Sequence, residues 1–254
     1  MSEKTIIVTG GSRGLGRATA VIAAGMGANV VIAAREEEAL RQVADEISRA
    51  NGRALVVAGD LRDEESCRRV IEEAVRHFGG IDGLVNNAGI LRPLKTIADA
   101  EPEAWTENWA INVLSPVMLT KAALPHLRKT GGRLVHISSG MAVRPVAGTA
   151  SYNMAKAALN MLSATLALEE PSVTTITLRP GGVDTNLQLT LRSEGGPVMD
   201  PDVFKKYSTR KLLAPEVPGL AAAVLVLYAP HEWSGKFISY DDEDVQALIK
   251  EHKT

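Results

Sequence analysis

The sequence contains a single cysteine, Cys67, so a disulfide within the chain is excluded. A lone thiol is typical of proteins that work in a reducing compartment. Because no histidine or second cysteine lies near Cys67 in the sequence, we interpret it as a small, partly buried residue and not as a nucleophile. The five histidines are scattered without the spacing of metal ligands. We therefore expect no metal site.

Long apolar runs and a targeting segment are also missing. No stretch approaches the roughly eighteen apolar residues that a membrane-spanning helix needs, and the amino terminus lacks the apolar core of a signal peptide. Charge of one sign does not dominate, since 28 basic residues face 30 acidic ones and the net charge is -2. Nothing global therefore indicates nucleic-acid binding. We expect a cytoplasmic protein that binds neither membranes nor nucleic acid.

Short β-branched runs alternate with longer helical patterns along the whole chain. Runs such as Ile6-Ile7-Val8 are apolar without interruption, as in strands that are buried on both faces. The pattern predicts an α/β protein with one doubly wound Rossmann domain over residues 1–254, in which helices flank a seven-stranded parallel sheet on both faces. The predicted strands are 5–9, 29–33, 53–57, 83–85, 133–137, 173–178 and 236–239. The predicted helices are 14–27, 36–51, 63–78, 103–128, 151–169 and 217–228.

One segment, residues 184–215, is the least regular part of the sequence and contains several glycines and prolines. A long irregular stretch inside a compact domain is usually functional or disordered. Since it follows the carboxyl end of a predicted strand, we predict that it covers a binding site, and we call it the lid segment.

A glycine-rich turn follows the first predicted strand and leads into a helix. Glycines there allow the backbone to approach a pyrophosphate, and the helix N-terminus offers free N–H groups and a positive dipole end. The spacing of these glycines differs from the G-x-G-x-x-G pattern. The main evidence for a binding site is therefore that the turn lies between the first strand and a helix. We predict a dinucleotide site. Its residues in this turn are Gly10, Ser12, Arg13, Gly14, Leu15 and Gly16.

The end of the second strand predicts which dinucleotide is bound. An acid at this place would accept a hydrogen bond from the ribose 2′-hydroxyl of NAD, but the sequence continues Ala33-Ala34-Arg35. The fork of Arg35 suits a 2′-phosphate, which Arg13 could also approach. We therefore predict NADPH. The alternative is that Arg35 only extends along the surface where a helix begins.

Tyr152 and Lys156 are four residues apart on a predicted helix, which places them on one face. A phenol has an ordinary pKa of about 10, and a nearby ammonium group lowers it toward the range useful for proton transfer. Ser139 follows the strand 133–137, at the sheet edge where α/β proteins bind ligands. The pair alone is a weak signal, but together with Ser139 it indicates acid–base catalysis.

These features resemble the short-chain dehydrogenase/reductase family over nearly the whole chain. The motifs that carry the resemblance are Thr9-Gly10 with Gly14-Leu15-Gly16, Asp60-Leu61, Asn86-Asn87-Ala88-Gly89, Asn112, Ser139, Tyr152 with Lys156, and Pro180-Gly181 through Val183 to Thr185. A weaker similarity, to the sepiapterin-reductase-like and benzil-reductase-like branch, lies in residues 180–188, 192–199 and 235–240. Ser239 stands where sepiapterin reductases place an acid that anchors the pterin, which argues against a pterin substrate. We interpret residues 241–244 as a solvated acidic tail.

The resemblance implies a catalytic set and a homodimer or homotetramer that pairs through helices 103–128 and 151–169. Asn112 would hold a water in a proton relay, and Ser139 would polarise the substrate carbonyl. Tyr152 would donate the proton, while Lys156 would bind the nicotinamide ribose and lower the pKa of Tyr152. Further contacts with the cofactor are implied for Asp60, Leu61, Asn87, Ala88, Gly89, Pro180, Gly181, Val183 and Thr185.

The predicted function is NADPH-dependent reduction of a small-molecule ketone or other carbonyl to an alcohol by hydride transfer. A mostly apolar set of pocket candidates suggests an uncharged ketone, diketone or aromatic carbonyl. These candidates are Met141, Val143, Val146, Leu187, Leu191 and Met199. Two alternatives stay open: an NAD-dependent alcohol dehydrogenase of the same family, and a nucleotide-binding redox sensor without turnover. A sensor would need no proton donor, which argues against it.

Overall fold

The computed structural model describes residues 3–252 and contains one sheet of seven parallel strands. The strands are β1 Thr5–Thr9, β2 Asn29–Ala34, β3 Arg53–Ala58, β4 Gly83–Asn86, β5 Arg133–Ile137, β6 Thr174–Arg179 and β7 Phe237–Ser239. The α-helices are α1 Gly14–Gly25, α2 Glu37–Arg49, α3 Glu64–Phe78, α4 Pro102–Trp109, α5 Ser115–Thr130, α6 Ala150–Glu169, α7 Asn186–Glu194, α8 Pro201–Thr209, α9 Glu216–Tyr228 and α10 Glu243–His252. The predicted fold class is confirmed.

The strands follow the order β3-β2-β1-β4-β5-β6-β7 across the sheet. Strand β1 lies at the centre, where Ile7 pairs with Val31 on one side and with Leu84 on the other. The chain winds outward in one direction through β2 and β3 and in the other through β4 to β7. Loops at the carboxyl ends of β1 and β4 therefore diverge, and the crevice between them is where such sheets bind ligands.

Alternate residues of the central strand enter two separate cores. Ile6 and Val8 pack on one face with buried residues of α1, α2, α9 and α10. Ile7 packs on the other face with α3, α5 and the buried Leu166 of α6. Both faces of the sheet are thus covered, which explains why the strands read as continuous apolar runs.

The predicted helix 103–128 is wrong as a single element. The structure has α4, then a π-helical turn at Ala110–Leu114, and then α5. Pro116 lacks an amide N–H, so it cannot donate to the carbonyl of Asn112 as an α-helix requires. A wider turn accommodates this missing bond, and such turns are frequent at functional sites.

The lid segment is more regular than the sequence predicted, since it contains α7 and α8. Asp200 caps α8 by accepting hydrogen bonds from the N–H groups of Asp202 and Val203 at 3.0 and 3.1 Å, and Pro201 occupies the first helical position. The two ends of the segment meet, because Leu213 donates to the Gly182 carbonyl at 2.8 Å and accepts from the Asp184 N–H at 2.9 Å.

The interpretation of residues 241–244 as a solvated acidic tail is correct in one part, since all four residues are exposed, and wrong in the other, since they do not form a tail. Helix α10 begins at Glu243, and its first turn contains Glu243 and Asp244. Acidic side chains there are favoured by the positive end of the helix dipole. Asp242 accepts from the Ser239 N–H at 2.7 Å, and Asp241 bonds the Ser239 hydroxyl. The acidic run therefore joins β7 to a helix that packs on α9.

Candidate active site

A cleft of about 750 Å³ lies at the carboxyl ends of the strands, at the crevice between β1 and β4. All residues predicted to contact the dinucleotide line it, as do Ser139, Tyr152 and Lys156. Asn112 is completely buried and does not line the cleft wall. The structure thus places the predicted residues around one cavity, and their contacts with a cofactor stay predictions.

The glycine-rich turn forms a tightly packed cradle. Gly10 has a φ of +64°, a conformation that residues with a Cβ rarely adopt. A methyl group added to Gly16 would lie 2.2 Å from the Gly10 carbonyl oxygen and 2.4 Å from Asn87 Nδ2. Only glycine lets helix α1 begin this close to the turn. The exposed backbone and helix N-terminus fit the pyrophosphate of a dinucleotide.

Thr9, for which no role was predicted from the sequence, joins the two loops around the cradle. Its hydroxyl accepts from the N–H groups of Asn87 and Ala88 at 3.0 and 3.1 Å and donates to the Val85 carbonyl at 3.2 Å. In return, Asn87 Nδ2 donates to the Thr9 carbonyl at 2.8 Å. These bonds connect the end of β1 with the end of β4 and fix both walls of the cleft.

Arginines dominate the outer end of the cleft. Arg13 and Arg35 are exposed there, and neither forms a salt bridge within the described range 3–252. Asp60 is held by Arg62, whose Nε lies 3.0 and 3.1 Å from its two carboxylate oxygens and whose hydrogen bonds lower the pKa of Asp60. Arg62 also donates to Glu107 at 3.1 Å, which ties α4 to this end. No motif in the sequence selects Arg62.

Helix α6 and the end of β5 bring Tyr152, Lys156 and Ser139 together in the inner part of the cleft. Tyr152 and Lys156 are buried, with Lys156 Nζ 5.5 Å from the centre of the Tyr152 ring. Lys156 donates to the Ile137 carbonyl at 2.7 Å, which fixes its amine. Ser139 accepts from the Met141 N–H at 3.1 Å.

The expectation that Lys156 lowers the pKa of Tyr152 is not met. Burial raises the pKa of Tyr152 to about 12, and a hydrogen bond from Ser139 offsets this rise only in part. Burial also lowers the pKa of Lys156 to about 8. Desolvation penalises the charged form of each group and is the largest influence on both pKa values.

Asn112 lies behind the cleft wall in the π-helical turn. Its Nδ2 donates to the Ile90 carbonyl at 2.8 Å and to Asn108 Oδ1 at 2.9 Å, and its Oδ1 accepts from the Ile90 N–H at 3.1 Å. Both amide hydrogens are therefore used to order the loop after β4. The main-chain carbonyl of Asn112 lacks its usual α-helical donor, because Pro116 has no N–H. The water predicted at Asn112 stays a prediction.

The predicted substrate pocket is only partly correct. Met141, Leu187 and Leu191 line the cleft, and with Tyr152 they belong to one apolar cluster. Val146 and Met199 belong to the same cluster but do not line the cleft, while Val143 is 59% exposed and belongs to neither. Residues of the lid segment that the sequence analysis did not select also line the cleft. These are Asp184, Asn186, Gln188, Lys206, Tyr207 and Arg210.

Two buried titratable residues lie outside the cleft. His136, on β5, has its Nδ1 3.2 Å from Asn86 Nδ2, and burial together with the charge of Lys156 lowers the pKa of His136 to about 4. Burial raises the pKa of the Cys67 thiol to about 11. Both are therefore neutral at pH 7, which agrees with the interpretation of Cys67 as a residue without a nucleophilic role.

No group of three or more His, Cys, Asp or Glu side chains with the geometry of a metal site is found among residues 3–252. Within the same range, none of the helices combines the length and apolar character needed to cross a bilayer.

Comparison with known proteins gives concordant matches. Residues 4–195 match the family model described as short chain dehydrogenase. A benzil reductase ((S)-benzoin forming) of Saccharomyces cerevisiae is 34% identical over 94% of this chain and 97% of its own. The crystal structure of a short-chain dehydrogenase/reductase from Saccharomyces cerevisiae has a TM-score of 0.90, 33% identity, and coverage of 96% and 99% of the two chains. A short chain dehydrogenase from Burkholderia cenocepacia in complex with NADP has a TM-score of 0.81, 29% identity, and coverage of 93% and 95%.

Proposed function

This chain is an oxidoreductase of the short-chain dehydrogenase family, and we propose that it uses NADPH to reduce a ketone or other carbonyl compound to an alcohol. The observation that carries the proposal is the meeting of Ser139, Tyr152 and Lys156 at the inner end of a cleft whose outer end is a glycine cradle with two arginines. When bound, the nicotinamide cofactor supplies the hydride.

The side chains of the inner cleft would manage the proton. Ser139 and Tyr152 would both donate hydrogen bonds to the carbonyl oxygen, which gains negative charge as it is reduced. Because its pKa lies at about 12, the Tyr152 phenol keeps its proton at neutral pH. That state suits reduction, in which the phenol gives the proton to the oxygen. Lys156, fixed by the Ile137 carbonyl, would hold the cofactor ribose beside the phenol.

Replacement of Tyr152 by Phe tests this assignment. A positioned general acid contributes roughly 10²–10⁴-fold, so we expect kcat to fall by at least 100-fold while NADPH still binds. Tyr228→Phe is the matched control, because Tyr228 stacks on His252 with ring centres 3.9 Å apart and does not line the cleft. Full turnover by Tyr152→Phe would remove this phenol from the mechanism.

We base the preference for NADPH over NADH on Arg13 and Arg35, which line the cleft, and on the end of the second strand, where Ala33 and Ala34 stand in place of an acid. The related protein that was crystallised with NADP supports the choice. We expect Arg35→Ala to weaken NADPH binding about 10-fold, as for loss of an exposed charge-assisted hydrogen bond, and to change NADH binding by less than about 3-fold. Arg41→Ala, on α2 outside the cleft, is the control. Equal loss for both cofactors would refute the assignment.

The similarity to a benzil reductase supports a carbonyl substrate with a bulky apolar part, and the apolar cluster around Tyr152 fits such a group. Initial rates of NADPH oxidation with diketones, quinones and simple ketones would test it. Oxidation of the matching alcohols with NAD⁺ at higher rates would favour the dehydrogenase alternative.

A homodimer or homotetramer is proposed for assembly. Large apolar side chains are exposed on the surface formed by the π-helical turn, α5 and α6. They include Leu114, Val117, Met154, Met161 and Leu168, whose exposed fractions reach 84%. We expect light scattering to report a multiple of 27.1 kDa, and Met161→Glu to shift the protein toward the monomer. A wild-type monomer at micromolar concentration would contradict this.

A further inference from the structure

The guanidinium of Arg210 is fixed in the wall of the cleft. It lies against the Gly182 backbone, since a methyl group on Gly182 would come 2.4 Å from Arg210 Cζ. Arg210 donates from Nη2 to Gln188 Oε1 at 2.8 Å, and its Cζ lies 5.0 Å from the centre of the Tyr207 ring. Gln188 is itself buried. The lid segment therefore holds one cation at a defined position beside the loop after β6.

This cation has no anionic partner among residues 3–252. None of the salt bridges in this range includes Arg210, and its Nε is buried without a hydrogen-bond partner. The nearby Arg192, whose Nη2 donates to the Arg210 carbonyl at 2.7 Å, adds a second positive charge. Burial and this charge lower the pKa of Arg210, yet a guanidinium stays protonated in proteins.

A partly buried charge without a counter-charge is unfavourable, and a bound anion would remove much of that cost. Among the other cations that line the cleft near the lid segment, Arg179 already bonds Ser239 at 3.0 Å and lies 3.8 Å from Asp241, while Arg144 and Lys206 are exposed to solvent. Arg210 therefore offers the site for an anion that the protein itself does not fill.

The position of Arg210 indicates that an anion bound there would be part of the substrate and not a phosphate of the cofactor. Tyr207 and Leu191, which border the same part of the lid segment, pack in one apolar cluster with Tyr152. The glycine cradle meets the other end of this loop, where a methyl group on Gly14 would come 3.1 Å from Thr185 Cγ2. An anion at Arg210 would thus belong to the ligand that also contacts the apolar wall and the phenol.

We propose that Arg210 binds a carboxylate on the substrate, and that the enzyme prefers ketones that carry a carboxylate and an apolar group. The proposal rests on the proposed carbonyl reduction and deepens it, because the apolar pocket alone suggested an uncharged ketone. The ketone oxygen would lie at Tyr152 and Ser139 while the carboxylate contacts Arg210. Two fixed points of this kind orient a substrate and select for its charge.

The test compares an aryl keto acid with its methyl ester, which has the same skeleton and no charge. In wild type we expect kcat/KM to be at least 10-fold higher for the acid, mainly through KM. In Arg210→Met the ratio should fall to within about 3-fold of unity. Lys205→Met, which removes an exposed charge from the same helix α8 outside the cleft, should keep the wild-type ratio.

Three outcomes would overturn the proposal: equal kcat/KM for acid and ester in wild type, an unchanged ratio in Arg210→Met, or loss of NADPH affinity in Arg210→Met without loss of the acid preference. If Arg210→Met does not fold, the ratio of kcat/KM for acid and ester is measured in Arg210→Lys and compared with the wild-type ratio. Binding of the hydroxy acid product, followed by calorimetry, needs no turnover. Failure of carbonyl reduction would leave this binding intact, so the two proposals fail separately.

Discussion

Removal of the Thr9 hydroxyl should destabilise both walls of the cleft. The hydrogen bonds of this hydroxyl determine how much the free energy of unfolding should fall. Thr9→Val keeps the shape of a side chain that is 1% exposed but leaves the Ala88 N–H without its acceptor. The Asn87 N–H loses one of two acceptors, since it also donates to the Val85 carbonyl at 3.1 Å. An unsatisfied buried N–H costs about 1–3 kcal/mol, so we expect the free energy of unfolding to fall by about 2 kcal/mol.

Urea unfolding followed by circular dichroism measures this loss, with Thr9→Ser as the matched control. The serine keeps the hydroxyl and removes one methyl group, so it should cost about 1 kcal/mol. NADPH affinity should fall in Thr9→Val, because the two loops that this hydroxyl joins are both walls of the cleft. If Thr9→Val is as stable as Thr9→Ser, the hydrogen bonds do not carry the connection between β1 and β4.

Further predictions concern three other positions. Gly16→Ala should abolish measurable NADPH binding by fluorescence titration, since the added methyl group would lie 2.2 Å from the Gly10 carbonyl oxygen; near wild-type affinity would mean that the turn can open. The pKa of His136 is about 4 in the folded state and about 6.5 when unfolded, so the unfolded chain binds the extra proton first. Stability should fall by about 3 kcal/mol as the pH drops from 6.5 to 4, and His136→Gln should lose that dependence in melting experiments. Cys67, buried and with a pKa of about 11, should not react with a thiol reagent at pH 8 until the protein is unfolded, and rapid labelling of the folded protein would contradict this protection.

The sheet and the glycine cradle could be predicted because their signals are local. Each predicted strand agrees with the structure to within one residue at either end. Short continuous apolar runs such as Ile6-Ile7-Val8 are typical of strands that are buried on both faces. The glycines of the turn and the pair Tyr152 and Lys156 are likewise defined by spacing within a few residues. Family resemblance then assigned them to one cleft, where the structure places them.

Elements with ambiguous local signals were missed. Prolines and glycines in the lid segment concealed α7 and α8, although Asp200-Pro201 is a helix start that could have been recognised. The acidic residues where α10 begins resembled a tail, because their favourable place at the positive end of the helix dipole depends on the helix that follows. In the helix after β4, Pro116 is the signal for an interruption.

Residues whose role depends on distant partners could not be predicted from the sequence. Thr9 and Asn87 are far apart in the chain, and only the sheet order brings them together. Arg62 and Arg210 acquire their roles through Glu107 and Gln188, on other helices. The pKa of Tyr152 depends on how completely the fold excludes water, which residue spacing does not report.

The closed base of the lid segment has a consequence for how this scaffold can change. Since Leu213 bonds both Gly182 and Asp184, the lid segment leaves the rest of the domain and returns to it at a single point. Everything between forms an excursion whose length adds little entropic cost once its ends are pinned. We expect that replacing this one contiguous stretch with that of a related reductase would change substrate choice, since Ser139, Tyr152 and Lys156 lie outside it.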